Sequence, residues 1–220
     1  NKLLYNSSTG EITYQADSGG GGGGGTTVNG ASLKSNNTGT NVGTDSLSLG
    51  YETGNSSQGT KSVAIGYQAG KTNQGDQCIA IGNATAHTDQ GNQGIAIGLN
   101  AGYGSQGFRA IGIGFAAGNH QAGEYTIAIG SSAGQITQGV RSIAIGDRAA
   151  YTGQGADSIA IGREAGYQNQ HANSIVLNAS ASALNSDGTS RFFVKPIRDS
   201  TNSNKLLYNS STGEITYQAD

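Results

Sequence analysis

The strongest constraint on the fold is an apolar tripeptide that recurs at a constant 16-residue step. Val63-Ala64-Ile65 is followed one step later by Ile79-Ala80-Ile81 and then by five further copies at the same spacing. Leu47-Ser48-Leu49 and Ile175-Val176-Leu177 extend the series at its two ends, which makes nine copies. Sixteen residues are too few for a helix plus a strand, and the β-branched, alternating tripeptide favours a strand. The period therefore predicts an all-β fold, a parallel β-roll or solenoid of nine 16-residue coils, stacked ~4.8 Å apart over roughly 40 Å.

Further columns keep this register. Glutamine recurs at 58, 74, 90, 106, 138, 154 and 170, with Ala122 at the one interrupted position, and glycine follows at 59, 75, 91, 107, 123, 139 and 155. We interpret the glutamines as an amide ladder in which side chains bond from coil to coil. A row of amides that binds a sugar is the functional alternative.

Each tripeptide is apolar on both faces of its strand. The two Ile side chains point to one face and the Ala side chain to the other, yet a coil has only one interior. The remaining face would expose an apolar stripe along the whole stack, so we expect it to meet another chain. The columns concerned are Ile65, Ile81, Ile97, Ile113, Ile129, Ile145 and Ile161, and Ala64, Ala80, Ala96, Ala128, Ala144 and Ala160. Which column faces the interior stays open, and a charge introduced at Ile129 is expected to destroy the stack itself.

Composition excludes several classes of partner. The chain has 38 glycines among 220 residues, only 12% charged residues and a net charge of −2, and its Lys and Arg residues are scattered. Nucleic acid and anionic membranes attract basic patches, so neither is expected as a partner. The sequence contains no stretch of 18 apolar residues, so it predicts no membrane-spanning helix. Cys78 is the single cysteine, which excludes an intrachain disulfide.

A second, longer repeat surrounds the coils. Residues 1–17 are identical to residues 204–220, which predicts one 203-residue period of a tandem array plus an overlap, with successive modules of the same fibre as neighbours. We divide the chain into a β-hairpin connector at 1–17, a glycine-rich linker at 18–30, the solenoid at 31–182, a cap and neck at 183–203, and a second hairpin at 204–220. Both hairpins are expected to share one fold and to lie beside a solenoid end. The glycine run at 19–25 is interpreted as a flexible tether or as strands packed closely about a symmetry axis.

No constellation for catalysis stands out. His87, His120 and His171 fall in three different columns, and the acidic residues are scattered, so we predict no catalytic residue, no cofactor and no metal. A varied turn column carries Tyr103, Tyr151 and Tyr167, which are candidate surface contacts or else solvated tyrosines that cover their own coil. Cys78 is interpreted as a buried small residue; if its column faced a symmetry axis, thiols of several chains would meet there.

The repeated motif S-[VI]-A-I-G-x-x-A-G resembles that of a known family. Ser62 to Gly70, Ser142 to Ala149 and Ser158 to Gly166 are similar to the head repeats of YadA-type trimeric autotransporter adhesins, and similar repeats occur in fibre proteins of tailed phages and large DNA viruses. The resemblance covers roughly residues 47–178. It implies a left-handed parallel β-roll in which three chains pack about a common axis, and therefore a homotrimer. The 16-residue step is longer than is usual in bacterial heads.

From these observations we expect the protein to have a structural function. The chain is interpreted as a repeat module of a long trimeric fibre, a shaft or spacer on a virion or in the extracellular space, that catalyses no reaction. The alternative is an adhesin module that binds host glycans or surfaces through its turn residues. An enzyme is the third and weakest interpretation.

Overall fold

The structure is a computed structural model that describes residues 2–6, 11–15, 27–28, 31–32, 43, 45–197 and 205–218. Within these ranges every regular element is a β-strand, and most of them form a parallel solenoid of about nine coils with a 16-residue step. The all-β solenoid predicted from the repeat is confirmed.

The recurring tripeptides form one wall of the solenoid. They lie side by side in a ten-stranded parallel sheet in which each residue is paired with its counterpart in the neighbouring coil, so that Ile95 is paired with Ile79 and with Ile111. Its strands in spatial order are β5 (Leu47–Leu49), β7 (Val63–Ile65), β9 (Ile79–Ile81), β11 (Ile95–Ile97), β12 (Ile111–Ile113), β14 (Ile127–Ile129), β16 (Ile143–Ile145), β18 (Ile159–Ile161), β19 (Ile175–Asn178) and β20 (Phe192–Lys195).

The glutamine strands form the opposite wall. One three-stranded parallel sheet contains β6 (Ser56–Gln58), β8 (Thr72–Gln74) and β10 (Thr88–Gln90), and a second contains β13 (His120–Ala122), β15 (Ile136–Gln138) and β17 (Thr152–Gln154). Between them, Gln106 forms only isolated bridges to Gln90 and Ala122. Gly104 stands there where neighbouring coils have a side chain, and glycine weakens a strand.

The interior admits only narrow side chains. In the coil 63–78 the buried side chains are Ala64, Ala69, Gln74 and Cys78, and the same positions are buried along the stack. The largest fully buried apolar side chain among the described residues is Val176. The Ala column therefore faces the interior and the Ile columns face outward. The expectation that a charge at Ile129 destroys the stack was wrong in its premise, because that side chain is 37% exposed on the chain by itself.

The glutamine column braces the two walls. Each interior Gln donates its Nε2–H across the coil to the carbonyl oxygen of the first residue of the facing strand, as Gln90 does to Ile79 at 3.1 Å. Amides also bond from coil to coil, with Gln74 Nε2 to Gln90 Oε1 at 3.2 Å and Gln90 Nε2 to Gln106 Oε1 at 3.1 Å. The predicted amide ladder is present in two runs, Gln74–Gln90–Gln106 and Gln154–Gln170. The glutamines of the column are almost fully buried rather than open to a sugar.

The two ends of the sheet differ from the sequence-based division. At the far end β20, from the segment interpreted as a cap, pairs with β19 in parallel and thereby adds a tenth rung. It places Phe192 in the row of Ile175 and Val194 in the row of Leu177, while Phe193 packs against the buried Ala cluster. At the near end the sheet begins with β5. The solenoid was predicted from residue 31, but β4 (Ala31–Ser32) pairs antiparallel with β3 (Thr27–Val28) instead.

The duplicated segments have the same backbone pairing. The strands β1 (Lys2–Asn6) and β2 (Glu11–Gln15) form an antiparallel hairpin that pairs Leu3 with Tyr14. The strands β21 (Lys205–Tyr208) and β22 (Ile215–Gln218) pair Leu206 with Tyr217, which are the equivalent residues of the second copy. The described strands of the two copies therefore share one antiparallel register. Among the described strands those of each hairpin pair only with each other, and the sheet end is extended by β20 instead.

Close stacking explains one glycine column. Gly114, at the end of β12, has φ +128°, and a Cβ added there would lie 2.5 Å from the carbonyl oxygen of Gly130 in the next coil. Neighbouring members of this column meet the same obstacle. A side chain would force two coils apart along the stack, because backbone atoms cannot yield as a flexible side chain can.

We expect Gly114→Ala to lower the free energy of unfolding by several kcal/mol, as overpacking and left-handed strain do together. Gly118→Ala is the matched control. Gly118 also has a left-handed φ of +56°, but its added Cβ would meet nothing closer than 3.7 Å, so the loss should be about 1 kcal/mol. Thermal unfolding followed by far-ultraviolet circular dichroism measures both, and equal losses would contradict the stacking explanation.

Ala122 interrupts the amide ladder and leaves a gap that can be filled. The buried Oε1 of Gln138 has no hydrogen-bond partner within the described part of the chain. The Oε1 atoms of Gln74 and Gln154 are also unpaired there although a glutamine stands one coil before each, so Ala122 is one of three breaks in the ladder. A glutamine at 122 would reach the Oε1 of Gln138 and would also donate to the Ile111 carbonyl by the pattern of its neighbours. We expect Ala122→Gln to raise the unfolding free energy by about 1 kcal/mol, the usual net value of such bonds. Ala122→Glu, which has the same shape but buries a charge, should destabilise the chain in the same unfolding experiment.

Candidate interaction surface

The largest apolar feature of the solenoid lies on its outside. The outward side chains of the ten-stranded sheet form two parallel rows, which we call the outer Ile face; all of them are half-buried or exposed. One row is Leu47, Val63, Ile79, Ile95, Ile111, Ile127, Ile143, Ile159, Ile175 and Phe192, and the other is Leu49, Ile65, Ile81, Ile97, Ile113, Ile129, Ile145, Ile161, Leu177 and Val194. A continuous apolar surface of this length is typical of a protein–protein contact rather than of a solvated wall.

Each strand of this face is flanked on either side by a residue that is exposed in nearly every coil. The leading edge is the row two residues before each strand, at 45, 61, 77, 93, 109, 125, 141, 157 and 173. The trailing edge is the row two residues after it, at 51, 67, 83, 99, 115, 131, 147, 163 and 179. In the coil of β7, Ser62 and Ala64 are buried, whereas Lys61 and Tyr67, two residues to either side of the strand, are exposed. The backbone turns at both edges, with a φ of +56° at Lys61 and +127° at Gly66, so the edge residues border the outer Ile face at its two sides.

The trailing edge changes character along the stack. Its first half carries the exposed side chains of Tyr51, Tyr67, Leu99 and Phe115, and the two tyrosine rings stack with centroids 5.4 Å apart. Its second half is polar and includes Asp147 and Arg163. Sequence reasoning missed these residues because the column is chemically mixed; the signal that could have found them is its fixed position two residues beyond each strand.

Charges on the edges are paired within the chain. On the leading edge, Arg141 donates from Nε to Asp157 Oδ1 at 2.6 Å and from Nη2 to Oδ2 at 2.8 Å, and this hydrogen bond lowers the pKa of the Asp157 carboxyl. On the trailing edge, Arg163 Nε lies 3.9 Å from Asp147 Oδ2, and each of the two has a closer partner: Arg163 Nη2 lies 3.2 Å from Glu164 Oε1, and Asp147 Oδ2 lies 3.5 Å from Arg148 Nε. The Arg141–Asp157 and Asp147–Arg163 pairs join neighbouring coils and are exposed to solvent.

The predicted turn tyrosines lie in a different place from the outer Ile face. Tyr103, Tyr151 and Tyr167 are half-buried and stack on column neighbours, Tyr151 on Tyr167 at a centroid distance of 5.3 Å and Tyr103 on His87 at 4.8 Å. Burial lowers the pKa of the His87 imidazole below its ordinary value. These rings cover their own coils and make contacts along the stack.

A shallow polar groove of about 590 Å³ runs along the glutamine wall. Its lining includes the exposed Asn73, Asp76, Asp89 and Asn92, and it ends at Phe108. Asn73 donates from Nδ2 to Asp89 Oδ1 at 2.8 Å, so some of the polar groups that line the groove are already hydrogen-bonded to each other. Amide, carboxylate and aromatic groups together suit a polyhydroxylated ligand.

Groups that could perform chemistry are isolated from one another. Cys78 is buried in its own chain, with Sγ 3.1 Å from the Gly91 carbonyl oxygen, and burial raises the pKa of its thiol. Its column faces the coil interior, so the alternative of thiols meeting at a symmetry axis was wrong. Across the described ranges, no three His, Cys, Asp or Glu side chains gather where a metal ion could be held. Nor does any helix there have the length and apolarity to cross a membrane.

No known protein family, curated protein or solved structure matched the chain.

The stacked tyrosines give a local prediction. Tyr151→Ser removes one ring of the pair with Tyr167, and an aromatic pair contributes about 0.5–1.5 kcal/mol beyond its buried area. We expect the unfolding free energy to fall by about 1 kcal/mol, whereas Tyr151→Phe, which keeps the ring, should leave it unchanged. Chemical denaturation of the two variants distinguishes them. A loss as large as that of a buried interior substitution would show that the column is part of the core.

Proposed function

We propose that this chain is a structural module of a long trimeric fibre, a shaft or spacer located on a virion or in the extracellular space. The observation that carries the proposal is the outer Ile face. The chain places its large aliphatic side chains outside and fills its own interior with Ala, Ser, Thr and Gln. A chain built in this way needs other chains to remove those side chains from water.

Energetics favour assembly over an isolated chain. Full burial of one Ile stabilises by ~1.5–3 kcal/mol, and an Ala offers far less apolar area. The interior alone therefore supplies little of the hydrophobic burial on which a stable domain depends. Packing outer Ile faces against each other supplies what the interior lacks, without a larger coil.

Three chains are the number that the repeat motif favours. The motif S-[VI]-A-I-G-x-x-A-G resembles YadA-type head repeats, in which β-rolls pack about a three-fold axis. The coil geometry agrees with such a roll, since each 16-residue step contributes one strand to each wall over most of the stack. Parallel chains around one axis would also give a straight rod, which suits a spacer.

The duplicated hairpin supports a shaft rather than a single tip. Segments 1–17 and 204–220 are identical in sequence, and their described strands pair in the same way, as successive copies of one connector would. Modules repeated along an axis provide length, and length is what a spacer requires. A receptor site needs only one favourable position.

The polar groove favours glycan binding as a second function. It lies on the glutamine wall, opposite the outer Ile face, and so stays open when those faces pack together. Asn73, Asp76, Asp89 and Asn92 offer hydrogen bonds. The Phe108 ring, which already has the Arg109 guanidinium 4.7 Å from its centroid, offers a surface against which a sugar could stack. Screening the chain against an immobilised glycan array tests this. Binding that is lost in Asp89→Ala and Phe108→Ala would establish an adhesin. If no glycan on the array binds the chain, only the shaft function is supported.

The proposed assembly is tested by two matched substitutions. Ile129 on the outer Ile face is 37% exposed and Ile136 on the opposite wall is 39% exposed, so each can be charged without burying that charge in the isolated chain. We expect Ile129→Asp to dissociate the trimer, because an unpaired charge would enter an apolar interface. Ile136→Asp should leave it intact. Sedimentation velocity gives the mass of each, and equal behaviour of the two variants would contradict the assignment of the interface.

A further inference from the structure

The outer Ile face cannot by itself fix how two chains align along the stack. Its two rows repeat nearly identical side chains in every coil, so a neighbour displaced by one coil would meet almost the same apolar surface. Repeated strands of this kind are prone to slip unless another feature specifies the register. In coiled coils that feature is the charge pattern beside the apolar seam.

The edges of the outer Ile face carry such a pattern. In the coil of β16 the leading edge has Arg141 and the trailing edge has Asp147. In the coil of β18 the signs are reversed, with Asp157 leading and Arg163 trailing. All four side chains are exposed beside the face.

Symmetry brings opposite edges together. When identical chains pack around an axis parallel to the stack, the leading edge of one chain lies beside the trailing edge of the next. Residues 141 and 147 belong to one coil, so they differ in height by less than one ~4.8 Å coil spacing. Edge residues of the same coil therefore face each other between chains, whatever the number of chains around the axis.

We propose that these edges form a charge code that sets the register between copies of this chain. Arg141 pairs with the partner's Asp147, and Asp157 pairs with the partner's Arg163. This inference rests on the proposed assembly and adds the residues that align it. The pairs within each chain, Arg141 with Asp157 and Asp147 with Arg163, hold the four side chains in place. Together with the pairs between chains they form one cluster in which positive and negative charges alternate.

Displacement by one coil turns attraction into repulsion in either direction. A shift one way sets Arg141 against the partner's Arg163, and a shift the other way sets Asp157 against the partner's Asp147. Only the aligned arrangement gives two opposite-charge contacts. Like charges at such positions exclude wrong arrangements more effectively than opposite charges strengthen the right one.

The other half of the stack offers a weaker form of the same code. Lys61 leads and Tyr67 trails in one coil, and Arg109 leads and Phe115 trails in another, with both rings exposed. A cation placed over an aromatic face is attracted to it. The aligned arrangement brings each cation toward a ring of the partner subunit. This half of the code discriminates less, because the Arg109 guanidinium already lies 4.7 Å from the ring centroid of its own Phe108 and because a one-coil shift would bring Lys61 to another ring at position 51.

Charge swaps separate the contact between chains from the pairs within a chain. A leading-edge swap, Arg141→Asp with Asp157→Arg, keeps the within-chain pair and the net charge but places like charges against both trailing-edge residues of the partner. A fourfold swap that adds Asp147→Arg and Arg163→Asp restores opposite charges between the chains, while within the chain it sets like charges beside Arg148 and Glu164. Sedimentation equilibrium of the full chain and both variants at low salt gives the concentration of half-assembly, and circular dichroism verifies that each variant is folded.

We expect the leading-edge swap to raise the concentration of half-assembly about tenfold or more, and the fourfold swap to return it to the original value. The difference should shrink at high salt, which screens exposed charges. A leading-edge swap that assembles as tightly as the unaltered chain would overturn the charge code while leaving the proposed fibre module intact. A fourfold swap that is folded by circular dichroism, yet assembles as weakly as the leading-edge swap, would overturn it as well. An unaltered chain that is monomeric would refute the proposed function itself.

Discussion

The narrowness of the coil interior determines the rest of this structure. Each coil contributes one short strand to each wall, and the space between the two strands holds only Ala, a small hydroxyl or thiol side chain and one extended glutamine. The glycine that follows each strand of the Ile wall keeps neighbouring coils close enough to hydrogen-bond. Aliphatic side chains of full size have no place inside. They must lie outward, and the outward face is regular because the coil is regular. Because the interior is narrow, the outer surface is apolar, and its exposure to water is unfavourable.

Hydrogen bonding within the coil offsets part of what the small core lacks. The glutamine amides tie one wall to the other through their Nε2 donors and bond from coil to coil in two runs, while the Oε1 atoms of Gln74, Gln138 and Gln154 have no partner among the described residues. Such a frame specifies geometry well but supplies little hydrophobic stabilisation. Assembly of outer Ile faces would supply it, and the charged edges would then decide which of several nearly equivalent alignments the chains adopt. Stability and alignment would come from different residues of the same surface.

The 16-residue period was sufficient to predict the strands, their parallel order and their register, because a repeat without insertions allows only one way of stacking. The amide ladder followed from the same columns. The sequence could not show whether the Ile or the Ala side chains of the tripeptide face the interior, since both are apolar. The width of the coil decides this, because only Ala fits inside. The strand Phe192–Lys195 was read as a separate cap because it begins one position later than the constant step from Ile175 would place it. Edge residues such as Tyr67 and Asp147 were missed because their types vary, and their shared role depends on position alone.

In the assembly that we propose, other copies of this chain cover the outer Ile face. The most direct measurement is the mass of the unaltered 220-residue chain in solution, by native mass spectrometry at micromolar concentration. We predict a single species with three times the mass of the 22.1 kDa chain. A soluble monomer that retains all of its β-structure would contradict the account.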